Sequence, residues 1–362
     1  MWGAERASAG ALRVSRDPAE RVVNWGSSCD NLSRQREGAG LIAEEVSMTK
    51  VGFIGLGNMG GAAARNLQRA QFELIVHDLR RQAAEPLVAR GARWADTPAE
   101  VVNQAEIVAT MVFGPQQIEQ VVRGDQGLLA GDCRNKVWID LTTSSPTLMR
   151  ELAAEFEKAG GEAVDAPVTG SVDSAIRGDM ILFVGGAEQT VARVHPVLAA
   201  MGEIRRVGLY GNGYVAKLVN NQLWKIHAAA IGEAMVAAKK AGLAPEVWWA
   251  AMKGGAADSF VMQHDVPSIF AGHYDPSFRL ALCLKDLALI DELVRETGTR
   301  SELTQATYAR FREAAERYGE DAGEMTVCKL LEEDAGVELR VAGEWIPPWQ
   351  VQHPQEGGGL AQ

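Results

Sequence analysis

The 362-residue chain lacks most of the features that mark membrane, metal-binding or nucleic-acid-binding proteins. Its four cysteines are scattered and show neither a disulfide framework nor C-x-x-C spacing, which predicts reduced thiols. No apolar run approaches the roughly 20 residues of a membrane span. Acidic residues outnumber basic ones and give a net charge of −11, which would repel nucleic-acid phosphates. We therefore expect a cytoplasmic protein with no nucleic-acid or membrane partner.

Metal-ligand patterns are also missing. His227 and His264 have no accompanying set of histidine, cysteine or carboxylate ligands at metal-site spacing, so we predict no metal. What is present is a globular composition, with 47% hydrophobic and 23% charged residues in a chain long enough for two domains.

The first 47 residues differ from the rest of the sequence. They lack lysine and sustained hydrophobic periodicity, and they have no apolar region of the kind found in a secretory signal. Acids such as Asp17 and Glu20 argue against a transit peptide. Met48 stands just before the first apolar run, as an initiator would. We expect residues 1–47 to be an extension that is either disordered or not translated.

A glycine-rich turn follows the first apolar run. Val51 to Ile54 predicts a buried strand, and Gly55, Gly57 and Gly60 then have the G-x-G-x-x-G spacing of a dinucleotide-binding turn. In such turns the glycines permit the tight bend, the approach of a pyrophosphate and close packing of helix on strand. A helix after the turn would direct its amides at the phosphates. We predict that this segment binds the cofactor with the three glycines and with Leu56, Asn58 and Met59.

Asp78 ends the second apolar run, ELIVHD, about 20 residues beyond the glycines. An acid at this distance hydrogen-bonds the ribose hydroxyls of NAD, and its charge disfavours the 2′-phosphate of NADP. Arg80 and Arg81 follow at once and are able to hold such a phosphate. We favour NAD and leave NADP open.

The apolar runs from Lys50 onward alternate with helical stretches. ELIVHD, EIVATMV, KVWIDL and MILFVGG are strand candidates, which implies a doubly wound, mostly parallel sheet. After Gly211 the pattern becomes helical, with helices expected at about 214–241, 245–252 and 286–296. We therefore predict an α/β Rossmann domain at 48–211, an all-α substrate and oligomerisation domain at 212–335, and a loose tail at 336–362.

Residues 208–221, GLYGNGYVAKLVNN, contain the most informative motif. It reads G-x-x-G-x-G-x-x-x-K-x-x-x-N, in which Lys217 and Asn221 lie four residues apart and project from one side of the predicted helix. A lone helical lysine is usually a solvated surface charge. Two other blocks, residues 163–186 and 278–289, argue against that interpretation here.

Together with the glycine-rich turn, these stretches make four blocks in a fixed order. On these blocks, residues 49–335 resemble the β-hydroxyacid dehydrogenase family. This family includes 3-hydroxyisobutyrate dehydrogenase and tartronate semialdehyde reductase and is more distantly similar to 6-phosphogluconate dehydrogenase. The resemblance implies a homodimer or homotetramer, since the long helix and its neighbours usually build the subunit interface.

The resemblance also implies roles for matching residues. Lys217 matches the catalytic lysine, and Asn221 matches the asparagine that helps hold the substrate. The substrate loop, Asp165 to Ser171, carries Thr169 in place of the usual serine and Ser171 in place of the usual last glycine. The remaining implied contacts divide between substrate (Thr142, Thr169, Gly170, Lys285) and cofactor (Val112, Phe113, Thr143, Lys285).

The residue types fit alcohol oxidation. Hydride transfer to a nicotinamide requires an acid/base group for the hydroxyl proton, and a lysine serves if burial or a neighbouring cation lowers its pKa. We predict reversible oxidation of a small β-hydroxy acid, similar to 3-hydroxyisobutyrate or glycerate, to its semialdehyde, with Lys217 as general acid/base. Two alternatives stay open: an imine reductase-like NADPH enzyme, although such enzymes usually have aspartate or tyrosine in place of Lys217, and a catalytically silent cofactor-binding scaffold.

Overall fold

The computed structural model describes residues 49–343. The predicted extension, residues 1–47, and most of the predicted tail, residues 344–362, lie outside the described residues. No helix in the described part combines the length and apolarity needed to cross a membrane.

The first half of the chain builds a β-sheet. Its strands are β1 (Lys50–Ile54), β2 (Glu73–His77), β3 (Arg93–Trp94), β4 (Ile107–Thr110), β5 (Val137–Asp140), β6 (Glu162–Asp165), β7 (Val168–Thr169), β8 (Met180–Gly185) and β9 (Gly202–Gly208). The order β3-β2-β1-β4-β5-β6 is parallel throughout. The strand order reverses between β1 and β4, and open α/β sheets bind ligands at the carboxyl ends of the strands at such a point.

The predicted strand MILFVGG corresponds to β8, but its direction differs from the expected parallel arrangement. β8 pairs antiparallel with β6 and β7 and parallel with β9. The residues between β6 and β8 form β7 and the six-residue helix α6 (Val172–Arg177). They do not make the long crossover that a parallel neighbour requires. The sheet is mostly parallel, as predicted, with this reversal near one edge.

Helices connect most of the strands. The others in this half are α1 (Asn58–Arg69), α2 (Glu85–Val88), α3 (Pro98–Gln104), α4 (Pro115–Arg123), α5 (Pro146–Lys158) and α7 (Glu188–Ala199). Side chains alternate between two apolar clusters along the strands. Ile75 and Trp138 belong to one cluster, and the next residues, Val76 and Ile139, belong to the other. Both faces of the sheet are therefore buried, as expected for parallel strands between helices.

The second half is helical, as predicted, and forms a separate apolar cluster. Its helices are α8 (Asn212–Lys240), α9 (Pro245–Met252), α10 (Val266–Ala271), α11 (Leu280–Glu296), α12 (Glu302–Tyr318) and α13 (Thr326–Ala335), with one π-helical turn at Val261–Asp265. α11 begins six residues before the predicted start at Asp286, because Leu280, Cys283 and Leu287 bury one continuous helical face.

The predicted loose tail is packed at its start. Leu339 is fully buried, and its backbone N–H donates to Glu332 Oε2 at 3.2 Å. Arg340 forms an ion pair with the same carboxylate at 3.1 Å. Residues 337–340 thus continue the helical half instead of leaving it at 336.

Candidate active site

A cavity of about 1690 Å³ opens at the carboxyl ends of the parallel strands and extends to the helical half. Its wall includes every residue predicted for the site except Leu56: Gly55, Gly57, Asn58, Met59, Gly60, Asp78, Val112, Phe113, Thr142, Thr143, Thr169, Gly170, Lys217, Asn221 and Lys285. The fold therefore brings residues that are far apart in the sequence, from Gly55 to Lys285, to one cavity.

The side chain of Leu56 lies outside the cavity wall and packs in the core beneath the glycine-rich turn. Only its backbone takes part in the site: the Leu56 N–H donates to Asp78 Oδ2 at 2.7 Å. The Arg80 N–H donates to the other oxygen, Asp78 Oδ1, at 2.8 Å. These two bonds hold the carboxylate at the end of β2, beside the turn.

The three glycines of the turn have different physical requirements. Gly55 has φ +94°, and a Cβ there would lie 2.2 Å from the Met111 carbonyl oxygen. A Cβ on Gly60 would lie 2.1 Å from the Gly55 carbonyl oxygen, so helix and turn pack too closely for a side chain. At Gly57 a Cβ would meet nothing within 4 Å. The open space before Gly57 and the start of α1 at Asn58 fit a bound pyrophosphate.

The loops after β4 and β5 form the next part of the wall. Thr142 is buried, and its Oγ1 accepts the Val112 N–H at 3.2 Å. The Thr143 carbonyl oxygen accepts a hydrogen bond from Lys285 Nζ at 3.2 Å, which joins the sheet half to α11. Phe113 lies beside this lysine, with Nζ 5.8 Å from the ring centroid. Val112, Phe113, Thr143 and Lys285, the residues for which the resemblance implies cofactor contact, thus lie together in this part of the wall.

Buried carboxylates anchor the beginning of α8. Asp165 Oδ2 accepts the Tyr214 N–H at 3.0 Å, and Tyr214 Oη donates to Asp140. Burial raises the pKa of Asp140 and of Asp165 to about 6, against the lowering effect of these hydrogen bonds. Asp165 is the first residue of the substrate loop, so the loop and the lysine-bearing helix share an anchor.

Lys217 lies one turn into α8 and is partly buried in the cavity wall. Burial lowers the pKa of Lys217 to about 8 because the ammonium loses hydration. Asp286 opposes this shift, whereas the charges of Lys225 and Lys285 reinforce it. Of these two cations, Lys225 has the larger effect. An amine with this pKa exchanges protons near neutral pH.

Asn221 is buried and already hydrogen-bonded within the protein. Its Nδ2 donates to Asp286 Oδ2 at 2.7 Å, and its Oδ1 accepts from Asn220 Nδ2 at 3.2 Å. Asp286 also pairs with Lys285 at 2.9 Å, and the three cations hold the pKa of its carboxyl below the ordinary value despite burial. One further Nδ2 hydrogen of Asn221 is available for a ligand.

Two residues that the sequence interpretation missed stand close to the predicted ones. Asn220 lines the cavity and donates from Nδ2 to Thr169 Oγ1 at 3.2 Å, so it connects α8 to the substrate loop. Lys225 is fully buried, with Nζ 3.0 Å from the Trp224 ring centroid and 4.8 Å from that of Phe278. No local sequence pattern marks Lys225, because a lysine within a helix carries no sign of burial.

Three buried carboxylates, Asp265, Asp275 and Glu324, lie behind Trp224 with oxygen atoms within 4.8 Å of one another. Asp265 and Asp275 are hydrogen-bonded to neighbouring groups of the protein. Asp265 Oδ2 accepts from Trp224 Nε1 at 2.9 Å, and Asp275 Oδ1 accepts the Ser277 N–H at 3.0 Å. Burial raises the pKa of Glu324 far above its usual range, which favours the neutral acid.

Ser171, which departs from the family pattern, contacts the helical half. Its Oγ lies 3.0 Å from His264 Nε2, and its hydroxyl donates to Asp173. His264 Nδ1 lies 2.6 Å from Asp265 Oδ1. Burial lowers the pKa of His264, but hydrogen bonds to Asp173 and Asp265 outweigh it and raise that pKa to about 10. The two carboxylates therefore favour the imidazolium form of His264, which donates from both nitrogens.

Comparison with known families matches both halves of this architecture. Residues 50–212 match the NAD-binding domain of 6-phosphogluconate dehydrogenase, and residues 211–331 match the NAD-binding domain of NADP-dependent 3-hydroxyisobutyrate dehydrogenase. The 3-hydroxyisobutyrate dehydrogenase of Pseudomonas aeruginosa is 36% identical over 67% of this chain and 84% of its own length. The chain belongs to the β-hydroxyacid dehydrogenase family. It is an NAD(P)-dependent oxidoreductase that acts on a CH–OH group.

Other members of the family match this chain over almost their whole length. The 2-hydroxy-3-oxopropionate reductase of Escherichia coli is 30% identical over 78% of this chain and 97% of its own. The solved structure of Mycobacterium tuberculosis 3-hydroxyisobutyrate dehydrogenase with L-serine is 30% identical, covers 78% of this chain and 99% of its own, and has a TM-score of 0.72. The Bacillus cereus imine reductase is 18% identical with a TM-score of 0.52, so its similarity shows the fold alone.

Proposed function

We propose that this enzyme reversibly oxidises a small β-hydroxy acid of the 3-hydroxyisobutyrate or glycerate type to its semialdehyde. The observation that supports this most is Lys217, an amine in the cavity wall whose pKa burial lowers to about 8. The bound dinucleotide would supply the hydride acceptor or donor. The protein would then need one acid/base group, which Lys217 provides.

In the direction of oxidation, neutral Lys217 would accept the proton of the substrate hydroxyl. In the direction of reduction, its ammonium would return that proton. Proton transfer of this kind accelerates a reaction by about 10² to 10⁴-fold. Asn221 would hold the substrate oxygen with its remaining Nδ2 hydrogen, while Asp286 fixes the orientation of the amide.

The substrate carboxylate would bind at the substrate loop. We propose that Thr169 and Gly170 contact it, with Thr169 held by Asn220, and that Thr142 and Lys285 complete the substrate site. Lys285 would also approach the nicotinamide. Lys217 and Lys285 both line the cavity and would offset the negative charge of the substrate carboxylate.

We propose NAD as the preferred cofactor. Its pyrophosphate would lie in front of Gly57, with the rest of the predicted cofactor set around it: Gly55, Leu56, Asn58, Met59, Gly60, Val112, Phe113 and Thr143. The Asp78 carboxylate, held by two backbone N–H groups, retains lone pairs for ribose hydroxyls. The same negative charge would oppose a 2′-phosphate.

We further propose a cytoplasmic homodimer or homotetramer in which residues 48–211 bind the cofactor and residues 212–335 supply the remaining substrate contacts and the subunit interface. Apolar side chains project from α8 and α12 into solvent, namely Val219, Leu223 and Leu303. A second copy would bury them. The described cysteines are buried free thiols, as suits a reducing compartment.

Initial-rate measurements test the proposed reaction. Reduction of NAD and of NADP would be followed with 3-hydroxyisobutyrate, glycerate, serine, 3-hydroxypropionate and 4-hydroxybutyrate. We expect turnover with at least one β-hydroxy acid and a higher kcat/KM with NAD. Demonstrable cofactor binding without turnover on the whole panel would contradict the proposed substrate class, and it would favour a silent scaffold or another substrate.

A further inference from the structure

The substrate loop is held from two sides by the helical half of the protein. Asn220 on α8 contacts Thr169, and His264 in the π-helical turn contacts Ser171. Between these points lies Gly170, whose φ of +118° gives this part of the loop a conformation that L side chains rarely adopt. Without an external contact a glycine here would leave the end of the loop free to move.

The position of His264 is itself fixed by several neighbours. Its Nδ1 bonds Asp265 at 2.6 Å, and the Phe260 ring stacks on the imidazole with centroids 4.7 Å apart. Asp265 in turn accepts the indole N–H of Trp224, which lines the cavity on α8. A continuous set of contacts thus runs from Ser171 on the substrate loop to Trp224 on the helix that bears Lys217.

Asp173 completes the contact on the loop side. It accepts from the Ser171 hydroxyl, lies 3.4 Å from His264 Nε2, and pairs with Arg177 at 2.6 Å. The imidazolium is therefore bracketed by Asp173 from the sheet half and Asp265 from the helical half. A partly buried charge with two carboxylate partners has a strong preference for this one geometry.

We propose that His264 is a positioning residue, which holds the substrate loop through Ser171 so that Thr169 and Gly170 face Lys217. Ser171, the departure from the family pattern, then acts as a point of attachment for the loop instead of an obstruction in the pocket. This inference rests on the proposed function, because the loop matters for catalysis only if it binds the substrate carboxylate. The attachment itself does not depend on the identity of the substrate.

The test uses Ser171→Gly, His264→Gln and the double variant of the full chain. We expect each single change to raise KM for the hydroxy acid by about five- to tenfold, the loss typical of one hydrogen bond. The kcat should change by less than about twofold and cofactor affinity should be unchanged, because neither residue touches the reacting atoms. The double variant should resemble His264→Gln, since that change alone removes the imidazole from both Ser171 and Asp173.

Hydrogen–deuterium exchange supplies a measurement that does not require turnover. The peptide covering residues 166–177 should exchange faster in both single variants than in the unmodified enzyme. His195→Gln makes the same substitution at an exposed site on α7 and should change neither KM nor exchange. Ser171→Gly is the milder variant and keeps the test valid if His264→Gln folds poorly.

An unchanged KM in both single variants, or effects that multiply in the double variant, would overturn the positioning role. Unchanged loop exchange would overturn the attachment. If the unmodified enzyme fails to oxidise the hydroxy-acid panel, the proposed function fails separately, and loop exchange alone then decides whether His264 holds the loop.

Discussion

At the scale of single residues, the charges around Lys217 decide its chemistry. Burial favours the neutral amine, Asp286 favours the ammonium, and Lys225 and Lys285 favour the amine again. Lys225 is fully buried over the Trp224 ring and cannot be screened as a surface charge would be. The pKa of about 8 is therefore set by the whole group of charges, not by depth alone.

The pH dependence follows with a definite sign. Oxidation requires neutral Lys217, so kcat/KM for the hydroxy acid should rise with pH and level off above about 8. Reduction of the semialdehyde requires the ammonium and should decline above the same pH.

Replacing Lys225 with methionine removes a nearby positive charge, so the rise in the oxidation profile should move to higher pH. Pre-steady-state or initial-rate profiles measure this, with Lys240→Met on the same helix as control. A profile that stays in place or moves to lower pH would contradict the claim that the charge of Lys225 lowers the pKa of Lys217.

Asp78 determines cofactor choice at the same scale. Its replacement by asparagine removes the charge that opposes a 2′-phosphate and keeps an acceptor for one of the two backbone donors, Leu56 N–H and Arg80 N–H. The ratio of kcat/KM for NAD to that for NADP should fall by about tenfold, equivalent to about 1.4 kcal/mol. Initial rates with both cofactors measure the ratio. An unchanged ratio would mean that Asp78 does not discriminate between them.

At the scale of elements, the β1–α1 turn separates cofactor binding from stability. A Cβ at Gly57 would enter open space, whereas a Cβ at Gly60 would lie 2.1 Å from the Gly55 carbonyl oxygen. Gly57→Ala should leave the thermal midpoint nearly unchanged and weaken NAD binding by tenfold or more, by occupying the space of the pyrophosphate. Gly60→Ala should lower stability by about 1 to 3 kcal/mol through overpacking. Thermal unfolding and fluorescence titration with NAD distinguish the two. Equal effects of both changes on stability would contradict this assignment.

The sequence predicted the helices and strands better than the direction of strand pairing and the long-range contacts. The long helix was expected at 214–241 and occurs at Asn212–Lys240, because glycines precede it and Gly242 follows it. The direction of β8 was not predictable from its apolar run, since parallel and antiparallel buried strands look alike in sequence. His264, 93 residues from Ser171, showed no local pattern at all. Contacts of this kind depend on tertiary structure.

The candidate site shows the same contrast. Motif spacing was enough to select Lys217, Asp78 and the glycines, which line one cavity. Each lies at or near the end of an element whose position the fold determines. The spacing could not show that Asn221 bonds Asp286 while the adjacent Asn220 bonds Thr169. It also could not reveal Lys225, because an isolated lysine in a helix carries no sign of burial.

At the scale of the whole molecule, exposed apolar side chains on α8 and α12 predict self-association. Gln222 Nε2 bonds Thr304 Oγ1 at 2.7 Å, which joins α8 to α12, and the adjacent residues Leu223 and Leu303 are exposed. Analytical ultracentrifugation should show a dimer or tetramer, and Leu303→Glu should shift it toward the monomer. The same substitution at an exposed helical site outside this face, Ala192→Glu on α7, serves as control. A monomeric unmodified protein at micromolar concentration would contradict the interface.

Turnover of Lys217→Ala is the most direct test of the proposed chemistry. Its kcat with the best hydroxy acid of the panel would be compared with those of the unmodified enzyme and of Lys240→Ala, an exposed lysine on the same helix. We predict a loss of about 10² to 10⁴-fold for Lys217→Ala alone, with NAD affinity retained. Near-normal turnover of Lys217→Ala would contradict its role as the general acid/base.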